Sequence, residues 1–272
     1  METLRYERTG HVGWLRLNRP QKLNSMTAQM WDEMRVLGQE LRSDPEIRAL
    51  VVIGEGRSFS TGIDTSQFGG NLLGGAGSIA PTKGEKTEDP LVAAILRTQE
   101  AFTWLEETPY PTIAAVRGHA LGAGMQLALA CDMRIVAKGT QFGLLEHRYG
   151  LIPDLGGTQR LPRLIGTGKA KELIFTAKII DAEEAQRYGL VEQLVEDAEL
   201  EKTAAALAEQ IAAQPPLAVR YAKRAVNAAL DTPTREGLRL EAEGQAVCIR
   251  SDDFKEAIRA YKERQTPQYK GR

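Results

Sequence analysis

One segment, residues 113–133, limits the possible folds of this chain more than any other, because it combines a strand, a glycine-rich turn and a helix. Its apolar, β-prone beginning runs into Gly118, and the small residues Gly122, Ala123 and Gly124 precede a run typical of a buried helix. Such a junction exposes unpaired backbone N–H groups and the positive end of the helix dipole. The glycines let an anion approach the backbone closely. The segment therefore predicts a site that stabilises negative charge at a helix N-terminus.

A nucleotide-binding turn is one alternative, because the glycine spacing matches that of short-chain dehydrogenases. Those enzymes carry the turn near the N-terminus and need a Tyr-x-x-x-Lys pair downstream. Here the turn lies in the middle of the chain, and no tyrosine is followed four positions later by lysine. No Lys-Ser or Lys-Thr pair follows the glycines either, so neither a dehydrogenase nor a phosphate-binding loop is predicted.

A second glycine-bearing turn precedes the first one in the chain, and the two together narrow the possible protein families. The buried-strand run 49–53 leads into Phe59-Ser60-Thr61-Gly62-Ile63-Asp64. With both turns present in this order, the sequence resembles the crotonase (enoyl-CoA hydratase/isomerase) superfamily, whose signatures are a Phe-x-x-Gly-x-Asp turn and the strand–glycine–helix segment. The stretches 15–24, 142–146 and 150–162 agree with the same family. The resemblance therefore covers nearly the whole chain.

The resemblance implies an α/β fold with two regions. Residues 1–198 are expected to form a crotonase-like spiral of ββα units that carries the CoA-thioester site. Residues 199–272, in which three amphipathic helices are readable, are expected to form a C-terminal helical region that packs homotrimers, which in this family often pair into homohexamers. The glycine-rich, polar segment 67–90 is expected to be mobile without ligand.

Members of this family bind acyl groups as coenzyme A thioesters and form an enolate next to the thioester carbonyl. By position, the resemblance assigns the backbone N–H groups of Thr61 and Ala123 to the oxyanion hole that stabilises the enolate oxygen. His119, just before the second turn, is expected to line the site. The residues expected to contact the substrate and its coenzyme A are Lys22, Leu23, Gly62, Ile63, Asp64, Thr65 and Gly122.

The acid/base residues depart from the hydratase pattern. Typical hydratases of the family carry two glutamates, but the first position here is Gln126, which lines the site, and only the second keeps its carboxylate, as Glu146. An amide has no proton to exchange with water. Asp154 lies where certain isomerases of the family carry an acid that acts as the base.

Glu146 and Asp154 are therefore the predicted catalytic residues, and isomerisation of a double bond in an enoyl-CoA is favoured slightly over hydration. Hydration by Glu146 with Asp154 stays open, and so does a non-catalytic acyl-CoA-binding homologue. Simpler interpretations also stand: Asp154 as a turn or cap residue, Glu146 as a solvated carboxylate, and Gln126 as a helix residue bonded to backbone.

Composition excludes several other classes. A net charge of −1 predicts neither a nucleic-acid nor a membrane partner. The only cysteines, Cys131 and Cys248, indicate no disulfide framework, and no His, Cys and carboxylate cluster indicates a metal. No cofactor is expected, because coenzyme A enters as part of the substrate. No stretch has membrane-spanning length and the N-terminus lacks an apolar region, which favours a cytoplasmic protein.

Overall fold

Two β-sheets organise the residues 1–66 and 89–272 that the structure, a computed structural model, describes. The larger sheet has six strands in the order β1-β2-β3-β4-β6-β9, and the smaller has three in the order β5-β7-β8. In chain order the strands are β1 (Leu4–Thr9), β2 (Val12–Leu17), β3 (Ala49–Gly54), β4 (Thr112–Val116), β5 (His119–Leu121), β6 (Met133–Ala137), β7 (Gln141–Gly143), β8 (Ile180–Asp181) and β9 (Gln193–Val195). Strand β1 is antiparallel to β2, and the other pairs of the large sheet are parallel.

The sequence of the central strands explains this arrangement. Every residue of β3 and β4 is buried, which is typical of parallel strands covered on both faces. Parallel pairing brings the carboxyl ends of β3 and β4 to the same edge of the sheet. The two glycine-bearing turns leave the sheet there and pair with each other, since Ser60 N–H donates to His119 O at 2.9 Å and Leu121 N–H donates to Ser60 O at 3.0 Å.

Helices cover one face of the large sheet and begin where local sequence signals predict. Thr27 caps the first helix, accepting from the Met30 N–H at 3.3 Å, and Asp89 caps the second, accepting from the Leu91 N–H at 2.8 Å. The helices before the C-terminal region are α1 (Ala28–Leu41), α2 (Pro90–Glu107), α3 (Ala123–Ala130), α4 (Gly157–Ile165), α5 (Thr167–Thr176) and α6 (Ala182–Arg187).

The C-terminal region contains four helices where three were expected: α7 (Leu200–Ala212), α8 (Pro216–Ala228), α9 (Thr234–Arg250) and α10 (Asp252–Glu263). Helix α7 packs its buried stripe, Leu200, Ala204, Ala208 and Ala212, against the second face of the large sheet. Helices α8 and α9 leave large apolar side chains exposed, among them Val226, Leu238 and Ile249. The proposed boundary at 198/199 stays a prediction.

None of the helices in the described part of the chain is long and apolar enough to cross a membrane. The segment 67–90, which the sequence analysis expects to be mobile, lies outside the described residues except for its last two positions.

Candidate active site

The two glycine-bearing turns meet at the N-terminus of α3. Gly62 has φ +91°, and a Cβ built on it would lie 2.7 Å from the Leu121 carbonyl oxygen and 3.5 Å from the Ala123 nitrogen. Only glycine fits a backbone conformation and a contact of this kind. The segment around Gly62 is therefore held directly beside the first backbone N–H of α3.

The predicted oxyanion donor Thr61 is wrong in this structure. Its N–H donates to the Leu23 carbonyl at 3.2 Å, so it is already engaged. The N–H groups of Ile63 and Ala123, by contrast, have no acceptor within the part of the chain that is described. Met26 donates its N–H to the Gly62 carbonyl and accepts from the Asp64 N–H, and this pairing turns the Ile63 N–H away from the segment 22–26.

Glu146 is a buried carboxylic acid, and among the described residues only one of its two side-chain oxygens has a hydrogen-bond partner. It begins a short 3₁₀ helix, Glu146–Tyr149, and is 7% exposed. Its Oε1 accepts from Gln126 Nε2 at 2.8 Å, whereas its buried Oε2 has no hydrogen-bond partner among the described residues. Burial raises the pKa of Glu146 to about 6, and the nearby charge of Asp154 adds to the rise, while the hydrogen bond from Gln126 opposes it.

Gln126 connects this acid to the next helix. Its Oε1 accepts from the Gly157 N–H at 2.9 Å, at the start of α4, while its Nε2 faces Glu146. Because the backbone N–H can only donate and the carboxylate can only accept, one orientation of the amide satisfies both contacts. The interpretation of Gln126 as a residue bonded to backbone is thus correct but incomplete, since it also fixes Glu146.

Asp154 lies in a cavity of about 650 Å³ between α2 and α4. Ile63 lines the same cavity, so the residue that offers its backbone N–H and the predicted acid Asp154 both border it. Burial raises the pKa of the Asp154 carboxyl. Its backbone carbonyl accepts from Gln99 Nε2 at 2.6 Å, which ties the residue to α2.

The predicted coenzyme A segments are joined by an ion pair that sequence reasoning missed. Arg19 Nη2 lies 2.9 Å from Asp64 Oδ2 and its Nη1 hydrogen-bonds the Ser25 carbonyl. Hydrogen bonds from Ser66 and Arg19 lower the pKa of Asp64 to about 2. The Arg19–Asp64 ion pair therefore joins the loop that contains Lys22 and Leu23 to the loop that contains Thr65.

Two of the remaining predicted residues differ in their distance from the site: Gly122 lies beside Glu146, whereas His119 does not line the cavity. Gly122 has φ +51°, and a Cβ on it would lie 3.4 Å from Glu146 Oε1, so it belongs beside the buried acid. His119 Nδ1 lies 3.2 Å from Ser58 Oγ, and His119 is not among the residues that line the cavity. In the described residues, no cluster of three or more His, Cys, Asp or Glu side chains could hold a metal ion.

Known proteins match this chain over nearly its whole length. The sequence matches the family model for enoyl-CoA hydratase/isomerase over residues 7–272. A short-chain-enoyl-CoA hydratase from Clostridium acetobutylicum is 37% identical over 259 residues, which cover 95% of this chain and 94% of that protein.

Solved structures show the same fold. An enoyl-CoA hydratase from Bacillus anthracis has a TM-score of 0.88 at 36% identity, with 99% of this chain and 100% of that chain covered. A Thermobifida fusca YX protein in complex with acetoacetyl-CoA has a TM-score of 0.80 at 39% identity, with 91% and 95% covered. The chain therefore belongs to the enoyl-CoA hydratase/isomerase family, and the expected crotonase-like fold is confirmed.

Proposed function

We propose that this member of the enoyl-CoA hydratase/isomerase family, an enzyme that acts on an enoyl-CoA thioester, moves the carbon–carbon double bond of its substrate. One observation carries the proposal. The side chain at the first glutamate position, Gln126, is an amide engaged at both ends, whereas two carboxyl groups with raised pKa, Glu146 and Asp154, lie within electrostatic reach of each other. The acid/base pair available for proton transfer is therefore Glu146 with Asp154.

In the proposed site, the thioester oxygen accepts hydrogen bonds from the N–H groups of Ile63 and Ala123. Both donors are fixed by the fold before the substrate arrives, one by the strand-like pairing with Met26 and one by the start of α3. Fixed donors stabilise the developing enolate without reorganisation, and one such donor contributes about 3–4 kcal/mol to lowering a barrier. Ile63 thus takes the place that the sequence analysis gave to Thr61.

Proton transfer in this proposal needs no exchange with water. One carboxylate removes the proton from the carbon next to the thioester carbonyl, which gives a dienolate held by the two N–H groups. The partner carboxylic acid, or the same group after it has taken the proton, returns a proton to the γ carbon. The double bond has then moved into conjugation, and the mass of the thioester is unchanged. Glu146 Oε2, which has no hydrogen-bond partner in the described part of the chain, can accept such a proton.

Hydration is the second candidate, and the name of the Clostridium acetobutylicum relative favours it. Glu146 and Asp154 would then divide the activation of water and the delivery of the proton. Isomerisation can be completed by one carboxylate that takes and returns the proton, whereas hydration uses two titratable groups, and Gln126 cannot be one of them.

The binding of coenzyme A and the assembly of the chain complete the proposal. The adenosine end of coenzyme A would lie against Lys22, Leu23 and the loop 62–65, which the Arg19–Asp64 ion pair holds together. The exposed apolar side chains of α8 and α9 would be buried between copies in a homotrimer or homohexamer. No separate cofactor is needed.

The test is a set of thioesters followed by mass and absorbance together. Crotonyl-CoA, a 3-enoyl-CoA and a 3,5-dienoyl-CoA are each incubated with the protein. We expect the 3-enoyl-CoA to be isomerised without change of mass, faster than crotonyl-CoA gains a water. Asp154→Asn should lower the isomerisation rate about 10²-fold or more, since a positioned acid/base group contributes roughly that much.

The exposed Asp197 offers a matched control, and Asp197→Asn should leave the rate unchanged. Faster hydration of crotonyl-CoA would make hydration the activity. Binding of every thioester without any turnover would instead identify a non-catalytic acyl-CoA-binding protein.

A further inference from the structure

The Asp154 carboxyl group takes its position from the backbone that carries it. In the described part of the chain no side chain donates a hydrogen bond to this carboxyl group, and the donor near it is the N–H of Asp154 itself. Of the three residues before it only Pro153 is buried, whereas Leu151 and Ile152 are 40% and 62% exposed. The placement of the acid therefore depends on how the backbone of residues 154–156 is held.

Two side chains hold that backbone by its carbonyl groups. Gln99 Nε2 donates to the Asp154 carbonyl at 2.6 Å, and Arg160 Nη1 donates to the Leu155 carbonyl at 3.0 Å. Gly156 allows the second contact, because it has φ +100° and a Cβ on it would lie 1.9 Å from Arg160 Nη1. Two successive carbonyl groups are thus bonded to side chains, one from α2 and one from α4.

Arg160 is itself bonded to α2. Its Nε donates to Glu106 Oε2 at 3.0 Å, and its Nη2 lies 3.0 Å from the same oxygen and 3.4 Å from Thr103 Oγ1. The Arg160 side chain is 11% exposed, so solvent competes little with these charge-assisted bonds. Gln99, Thr103 and Glu106 are spaced i, i+4 and i+7, so all three lie on one face of α2. That single face therefore holds both carbonyl groups, one directly and one through Arg160.

Helix α2 is a fixed reference for both predicted acids. Its opposite face is buried in the core through Ala101, Trp104 and Leu105. The helix also packs on α3, whose Gln126 donates to Glu146 Oε1 at 2.8 Å. Because one acid is bonded to α3 and the backbone of the other to α2, the packing of these two helices sets the separation of the two acids.

We propose that Gln99 and Arg160 are positioning residues that hold the Asp154 carboxyl group where it exchanges a proton with the substrate. Both act through the backbone, Gln99 on the carbonyl of Asp154 and Arg160 on the carbonyl that follows. The inference rests on the proposed function, because it takes Asp154 as a proton-transfer group. A displacement of about 1 Å in a reacting group can cost about 10²-fold in rate. Loss of either bond should therefore lower kcat and leave the affinity for acyl-CoA unchanged.

A double-mutant cycle with Asp154 tests whether Gln99 acts through that acid. Gln99→Met keeps the length of the side chain and removes the donor to the Asp154 carbonyl. We expect it to lower kcat about tenfold or more, with KM within about twofold of the native value. In a protein that already carries Asp154→Asn, the same substitution should change kcat by less than about twofold. Gln186→Met, on the exposed side of α6, is the matched control and should change neither quantity.

A second cycle uses the other positioning residue. Arg160→Lys keeps a positive charge for Glu106, but a lysine lacks the planar fork that reaches the Glu106 carboxylate and the Leu155 carbonyl together. We expect kcat to fall several-fold at an unchanged KM, and the effect again to vanish in Asp154→Asn. The exposed Arg187 supplies the matched control, Arg187→Lys, which should keep the native kcat.

Both cycles are measured on whichever thioester the native protein converts fastest, so they apply equally if that reaction is hydration. Native kcat in Gln99→Met and Arg160→Lys would overturn the inference, and so would equal losses with and without Asp154→Asn. A rise in KM at native kcat would also overturn it, because Gln99 would then be a substrate contact. Failure of the proposed function has a separate signature, since the native protein would isomerise no 3-enoyl-CoA. If Asp154→Asn alone kept the native rate, both would fail together.

Discussion

Two carboxylates with low exposure, Asp132 and Glu146, differ in how many hydrogen-bond donors surround them. Asp132 Oδ2 accepts from Lys223 Nζ at 2.7 Å, from the Thr112 N–H at 2.7 Å and from Thr112 Oγ1 at 3.1 Å. Lys223 is 7% exposed, and it also donates to the Tyr110 carbonyl at 3.0 Å. Within residues 1–66 and 89–272, Glu146 has one side-chain donor, to Oε1, and none to Oε2.

The difference separates a structural cluster, Asp132 with Lys223 and Thr112, from a chemical cluster, Glu146 with Gln126. The Asp132–Lys223 pair joins α8 to the start of β4 with its polar groups satisfied, as buried ions require. Glu146 is kept close to a neutral-pH pKa by burial, which destabilises its charged form and suits a group that must gain and lose a proton. A polar side chain that the fold leaves incompletely satisfied indicates function here, and a fully satisfied one indicates stability.

Removal of the acid from the chemical cluster should give the largest effect. Glu146→Gln keeps the shape of the side chain, and its amide oxygen can still accept from Gln126, but it cannot take a proton. We expect kcat to fall by about 10²- to 10⁴-fold with little change in the affinity for acyl-CoA, because only proton transfer is lost. Steady-state kinetics and titration measure the two quantities. Glu172→Gln, at an exposed helix position, is the control, and a loss below tenfold in Glu146→Gln would remove this residue from the mechanism.

The structural cluster should respond in the reverse manner. Lys223→Met removes the cation that is paired with the Asp132 carboxylate and one of the donors to the Tyr110 carbonyl, so the free energy of unfolding should fall by about 3 kcal/mol. The kcat of the folded protein should stay near that of the native protein. Urea unfolding and kinetics on the same sample give both values. Lys202→Met, at a residue whose side chain is 80% exposed, should change neither, and a kcat loss in Lys223→Met without destabilisation would break the distinction between the clusters.

The pH dependence of stability sharpens the comparison further. Burial raises the folded pKa of Glu146 to about 6 from the ordinary value of 4.5, so its contribution to stability is fully present below pH 4.5 and is lost as the pH rises through 6. The loss is about 2 kcal/mol for a shift of this size. Glu146→Gln should therefore become more stable relative to the native protein between pH 4.5 and 7, as followed by urea unfolding. An identical difference at both pH values would show that burial does not perturb this acid.

Local signals in the sequence predicted much of this architecture. The two glycine-bearing turns depend on neighbours within a few residues, and the structure confirms that they lie side by side. Thr27 and Asp89 are residue types that typically cap helices, and each caps one here. The choice between Thr61 and Ile63 could not be made in this way, because the direction of a backbone N–H depends on pairing with the distant segment around Met26.

Long-range contacts escaped prediction for the same reason. Lys223 and Asp132 are separated by 91 positions, and no local sequence pattern around either residue predicts that they pair. Three helices were expected in the C-terminal region and the structure has four, which follow one another closely, with only residues 213–215 between α7 and α8 and 229–233 between α8 and α9.

The smallest expected effect concerns Gln126, whose side chain connects Glu146 to the start of α4. Gln126→Glu keeps an acceptor for the Gly157 N–H but places a second carboxyl group within about 3 Å of Glu146, so one of the two must hold a proton at neutral pH. That proton can exchange with water, which the amide cannot do.

We therefore expect the ratio of hydration to isomerisation to rise several-fold. The ratio is measured as the mass-shifted product from crotonyl-CoA relative to the unshifted product from a 3-enoyl-CoA. Gln186→Glu, on the exposed side of α6, should leave it unchanged. If the native protein already hydrates crotonyl-CoA efficiently and Gln126→Glu alters nothing, the amide at position 126 does not decide the reaction, and the ranking of isomerisation over hydration is wrong.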